Sequence, residues 1–425
     1  MALVLRAHRL LLDSAAEVIQ NGAVIVSGDR IQDAGSWTDL RNRLLSDATV
    51  QDLGDVTLMP GLFDCHVHLS MDPSSLNATT DSNLSEPEML DLMTLNASKL
   101  LDAGVTTARD LGSPGVVGAI IRDLIAAGEI EGPRLQVAHA PITVPGGHAC
   151  AMGGEAEGVD GVRAEVIKRA AEGANLVKVM STGGFMTAGT HPGKARYSLE
   201  QLKAIVEEAH KHGMPVTTHA TGTEGIERAV DARLDSIEHC AWISGDNTHF
   251  EQNIAKKMVE YDIAVCPTMN TACVEHNYFC PWDSRKAIVS NLTQLRSAGV
   301  KMIVGTDAGI PLCRFERYFD GLTVLADAGY TVREIIASAT SIPASICGLA
   351  NETGRIASGF SADLAAFEGD VLGKGGVLAF GKPKFVMARG QVHKLQEITE
   401  VGDVAKQAQD TVRALRKGAG LPDIL

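Results

Sequence analysis

Between residues 58 and 309 eight short apolar runs alternate with stretches of helical periodicity, a pattern that few folds accommodate. The runs are "LMPGLFDCHVHL", "VTTARDLG", "RLQVAHA", "NLVKVMST", "PVTTHAT", "DSIEHC", "IAVCPTM" and "KMIVGTDAG". Between them lie amphipathic segments such as "SLEQLKAIVEEAHKHG" and "SRKAIVSNLTQLRSAG", each closing on a glycine suited to a helix C-terminus. Eight strand–helix alternations predict an α/β chain whose residues 58–354 form a (β/α)8 barrel of the TIM type.

The two ends read differently. "ALVLRAHRLLL", "GAVIVSGDRI" and "TVQDLGDVTLM" near the N-terminus are short strands divided by turn residues, and "SADLAAFEGD" and "KPKFVMARGQVHKL" repeat that texture near the C-terminus. They predict one small β-sandwich domain built from residues 1–57 and 355–396. A polar amphipathic helix is expected from 396 to about 417, within a C-terminal tail over 397–425.

With 425 residues, 45% of them hydrophobic, the chain can fill a barrel core and an accessory sheet. Its net charge is −14, without any block of lysine or arginine, which argues against nucleic acid and anionic membranes as partners. No run approaches the ~18 apolar residues of a membrane span, and "MALVLRAHRLLLDSAAEVIQ" lacks the plan of a secretory leader. A cytoplasmic location is the expectation, although an export signal already removed would leave no trace. The eight cysteines form no C-x-x-C pair and read as reduced, buried thiols. Cys266, Cys273 and Cys280 recur every seven residues, but the loop-like sequence between them does not suggest a ligand set.

Long connections at 70–88, 140–160, 183–197 and 267–284 follow the carboxyl ends of the first, third, fourth and seventh runs. Barrels build their sites on that face. His66 and His68, two residues apart on one strand, point to the same side, toward the barrel interior. Lys178 lies inside the fourth run, where an unpaired ammonium would be costly. His219 ends the fifth run, His239 the sixth and Asp307 the eighth. A single core histidine is ordinarily structural, but four histidines, a lysine and an aspartate at five strand ends point to a metal centre. Arg109 and Asp110 read as a buried ion pair supporting the barrel, and His139, His191 and His276 as structural or substrate-lining residues. No glycine-rich segment continues into a phosphate loop.

"PGLFDCHVHL", "LVKVMSTGG", "THATG", "SIEHC" and "GTDAG" resemble the metal-dependent amidohydrolase superfamily from about residue 57 to 310. The nearest likeness is to its prolidase-like dipeptidases, which cleave Xaa-Pro and other C-terminal amino acids. That group includes ochratoxin-hydrolysing amidohydrolases, which release phenylalanine. "TARDLGS", "VPGGHA", "KVMSTGG" and "ARYSLEQLKAIVEEAH" carry this closer resemblance.

The resemblance implies two divalent metal ions. His66, His68 and Asp307 would hold one, His219 and His239 the other, and a carboxylated Lys178 would bridge them. Zinc suits these donors, with manganese, iron or cobalt as alternatives. The implied reaction is attack of a metal-bridging hydroxide on an amide, with Asp307 moving the proton to the leaving nitrogen. The resemblance further gives His148 contact with the substrate carboxylate and Tyr197 polarisation of the scissile carbonyl. The expected substrate is a small molecule or dipeptide with a free carboxylate, and a homo-oligomer is the expected assembly. A cyclic-amide or lactone hydrolase, or a deaminase, of the same superfamily is the rival reading. Deaminases of the superfamily generally lack the strand-four lysine and place a glutamate soon after the fifth-strand histidine, as Glu224 stands here. A non-catalytic scaffold is less consistent with a full ligand set.

Overall fold

Each of the eight apolar runs becomes a parallel strand in the computed structural model, which describes residues 2–44, 48–75, 84–271, 273, 284–396, 410 and 413. In order they are Leu62–Val67, Val105–Asp110, Arg134–Val137, Val177–Met180, Val216–Gly222, Ser236–Ser244, Ala264–Cys266 and Lys301–Met302. The first three form one ladder, and the other five a second that also carries a short hairpin strand, Asn247–Thr248.

Backbone hydrogen bonds join the ladders at both seams. Ile142 N donates to Lys178 O and Met180 N to Ile142 O, each at 2.8 Å. At the other seam Cys65 N donates to Val304 O at 2.8 Å and His68 N to Ala308 O at 2.7 Å. The eight strands therefore form the expected barrel.

A helix follows every strand, and local sequence sets the ends of several. Ser198 caps Leu199–Lys211 through a capping box with Gln201, and Ser85 does the same for Glu86–Asp102 with Glu88. Gly299, at φ 79°, closes Arg285–Ala298 in the left-handed conformation that a glycine tolerates. The apolar faces of these helices pack on the strands in one large core that includes Ile121, Val166, Ile205, Ile226 and Leu292.

Strands from both chain ends join one eight-stranded sheet. Val56–Pro60 pairs antiparallel with Leu364–Glu368, Leu58 opposite Ala366, so the strand leading into the barrel is bound to the strand leaving it. Leu5, Val24, Leu58 and Leu364 share its separate core. The helix expected at 396–417 lies almost wholly outside the described residues, as do His276 and Cys280. Of the seven described cysteines, all but Cys150 are buried. Among the described residues no helix is long and apolar enough to cross a membrane.

Candidate metal centre

Strand register collects the predicted donors. Lys178 stands beside Thr217 in the ladder, two pairs below His219 and so on the same face, and His219 lies beside Glu238. His66 Nε2 lies 3.3 Å from His68 Nε2 and 3.3 Å from Asp307 Oδ1, and His68 Nε2 lies 3.1 Å from the same oxygen. The three donors thus converge on one volume. His239 continues the cluster, its ring 5.2 Å from that of His66 and 4.5 Å from that of His219.

His239, inside Ser236–Ser244, and Asp307, beyond Lys301–Met302, have left-handed backbones, φ 67° and 60°, as does Thr268 at φ 56° after the seventh strand. Such conformations cost a non-glycine residue about 1–3 kcal/mol, and they recur where a site must aim a side chain. Thr268 Oγ1 lies 2.8 Å from His239 Nδ1. A hydrogen bond there leaves Nε2 as the free donor.

The electrostatics favour neutral imidazoles. Burial pushes His66, His219 and His239 well below the usual histidine range; Lys178 adds to the effect on all three. Burial alone would raise Asp307, but His66, His68 and Lys178 outweigh it and hold the carboxyl well below its ordinary value. Lys178 is 1% exposed, and its Nζ has no hydrogen-bond partner among the described residues. Burial pushes it down to about 8, against the pull of Glu238 and Asp307. Neutral imidazole lone pairs, an ionised carboxylate and an orphaned buried amine fit a divalent cation site.

Glu238 is a residue of the cluster that the sequence reading missed. Its Oε2 lies 2.8 Å from His66 Nδ1, while Oε1 accepts from Arg109 at 2.8 Å and from Thr217. Arg109 is therefore paired with Glu238, which corrects the expected Arg109–Asp110 pair. Adjacent strand residues point to opposite faces, and Asp110 instead accepts from the backbone of Leu69 and Gly112. The signal was present in "SIEHC": a glutamate inside an apolar strand requires a partner.

His148 reaches the cavity above the cluster, with its ring 4.7 Å from that of His219. Burial pushes it down to about 4. Tyr197 does not reach it, so its expected position over the scissile carbonyl is corrected. The side chain is fully buried in the core, and its hydroxyl donates to Ala156 O at 2.9 Å. It precedes the helix cap Ser198, and its large apolar ring anchors that junction. His139 is structural, with Nε2 3.2 Å from Glu172 O, and His191 is exposed. Glu224 pairs with Arg228 on its own helix.

Imidazoles and a carboxylate gathered at the carboxyl end of an eight-stranded barrel define the class, a barrel protein with a donor set suited to a divalent metal. The chain belongs to the amidohydrolase family, whose sequence profile matches residues 57–399. The ochratoxinase of Aspergillus niger is 28% identical over 416 residues, covering 89% of this chain and 83% of that protein. A Xaa-Pro dipeptidase crystallised with methionine in its active site has a TM-score of 0.79 and 26% identity, covering 93% of this chain and 100% of its own. The crystal structure of the A. niger ochratoxinase has a TM-score of 0.78 and 25% identity, covering 94% and 96%.

Proposed function

We propose that the protein hydrolyses the amide bond to a C-terminal amino acid, in dipeptides or N-acyl amino acids, with two divalent metal ions held by the barrel cluster. The observation that carries this reading is Lys178, a buried amine without a partner among four histidines and Asp307. Carboxylated, it would add anionic oxygen donors for the divalent ions. His66, His68 and Asp307 would hold one ion, and His219 and His239 the other. Ions held there supply Lewis acidity, which makes water more acidic and polarises a carbonyl.

The chain's own residues do the rest. Asp307, ionised near neutral pH, accepts the proton of the attacking water and delivers it to the leaving nitrogen. His148 stands where a substrate carboxylate can accept its imidazole N–H. Likeness to a dipeptidase and to ochratoxinase supports the choice of an amide with a free carboxylate.

The test is hydrolysis by metal-quantified protein of N-acyl amino acids, of Xaa-Pro, Xaa-Phe and Xaa-Arg dipeptides, and of ochratoxin A, with Lys178→Ala as the control. Release of a free amino acid, roughly two metals per chain and loss of both in the control are expected. Bound metal with every amide intact, and ring opening of a hydantoin or lactone instead, would replace this reading with the cyclic-amide one.

A further inference from the structure

The cavity over the donor cluster, about 210 Å³, has an unusual lining. Among the described residues that form it, Lys178 and Asp307 are the only lysine, arginine, aspartate or glutamate, and both belong to the cluster itself. The rest of the wall is apolar, or polar without charge. Six of the chain's 13 methionines line it: Met71, Met89, Met152, Met180, Met186 and Met269. They come from the connections after the first, third, fourth and seventh strands, from the helix Glu86–Asp102 and from the fourth strand itself.

We infer that this site selects amides whose acyl group and leaving amino-acid side chain are both uncharged and apolar, with aromatic groups preferred. The inference rests on the amide-hydrolase reading above and specifies its substrate class.

Two physical arguments carry it. Among the described residues of the wall no side chain is free to pair with an entering charge, because Lys178 and Asp307 belong to the donor cluster and His148 meets the substrate carboxylate. A thioether is polarisable and unbranched, so a methionine wall fits the edges and faces of aromatic rings of differing outline, which a wall of branched side chains does less well. Met152 and Met186 are only partly buried and pack on a small cluster of Met71, Ile310 and Cys313, so they can adjust to the group that enters.

The test holds the acyl group constant. The kcat/KM of the metal-loaded protein is measured for N-benzoyl derivatives of phenylalanine, leucine, arginine and aspartate. The apolar pair is expected to exceed the charged pair by about 100-fold, the cost of a few kcal/mol for burying an unpaired charge. Met186→Lys introduces a counter-ion and is expected to improve the aspartate derivative by about 10-fold relative to phenylalanine. Equal kcat/KM across the four compounds, with hydrolysis intact, overturns the selectivity while leaving the amide-hydrolase reading in place. If none is cleaved, that reading fails. Calorimetric titration of the phenylalanine and arginine derivatives then decides the selectivity: tighter phenylalanine binding sustains it, and equal or tighter arginine binding ends it.

Discussion

Glu238 Oε2 lies 2.8 Å from His66 Nδ1, and both side chains are buried beneath the donor cluster. A carboxylate at Nδ1 keeps the proton there and turns Nε2, as a lone pair, toward His68 and Asp307. The same glutamate neutralises Arg109. One residue thus orients a candidate metal donor and compensates a buried cation.

Glu238→Gln retains size but removes that charge, which leaves Arg109 uncompensated. Metal affinity is expected to fall about 10- to 100-fold, as for other partners of ligating histidines. Chelator competition followed by metal analysis measures it. An unchanged competition curve would show that Glu238 is only structural.

Lys178 makes a prediction for the metal-stripped protein. Its native value is pushed down to about 8, while the unfolded chain titrates near its ordinary ~10.4. Between these values the unfolded state binds more protons, so the contribution of Lys178 to stability rises with pH. Relative to Lys178→Met, the wild type is expected to gain up to about 3 kcal/mol between pH 7.5 and 10.5. Denaturant unfolding across that range checks it; a constant difference would mean that the amine is solvated.

His393 couples the small sheet to the barrel. Burial lowers its value, but hydrogen bonds to Asp102 at 2.8 Å and Glu131 at 2.7 Å outweigh it and leave the imidazole raised. A raised native value stabilises the fold below the unfolded value of about 6.5 and loses that contribution as pH climbs through the native one. The Tm deficit of His393→Gln should therefore be larger at pH 6 than at pH 9. The opposite ordering would refute the ion-pair assignment.

Tyr197→Phe removes one buried hydrogen bond, from the phenol to Ala156 O. A stability loss of about 1 kcal/mol is expected, with kcat on an amide substrate unchanged within about twofold. A kcat reduced 100-fold or more in a folded variant would return Tyr197 to the site.

The barrel and the gathering of the candidate donors at one rim were legible because they depend on local and periodic features. Strand alternation places His66 and His68 on one face, and strand ends in a barrel share one rim, so the positions of Lys178, His219, His239 and Asp307 follow from counting. Pairings across strands were not legible. Arg109 and Asp110 are neighbours in sequence but opposite in space, and which carboxylate meets the guanidinium depends on register between strands 127 residues apart in sequence, at Arg109 and Ser236. The direction of a large side chain at the end of a loop was equally hidden: Tyr197 turns into the core, where its ring is fully buried and its hydroxyl donates to Ala156 O. The left-handed backbones of His239 and Asp307, and the methionine-lined wall above them, arise where segments distant in sequence converge. Local sequence decided the strands and their donors; only tertiary packing decided what those donors face, because long-range pairing has no periodic signature in the chain.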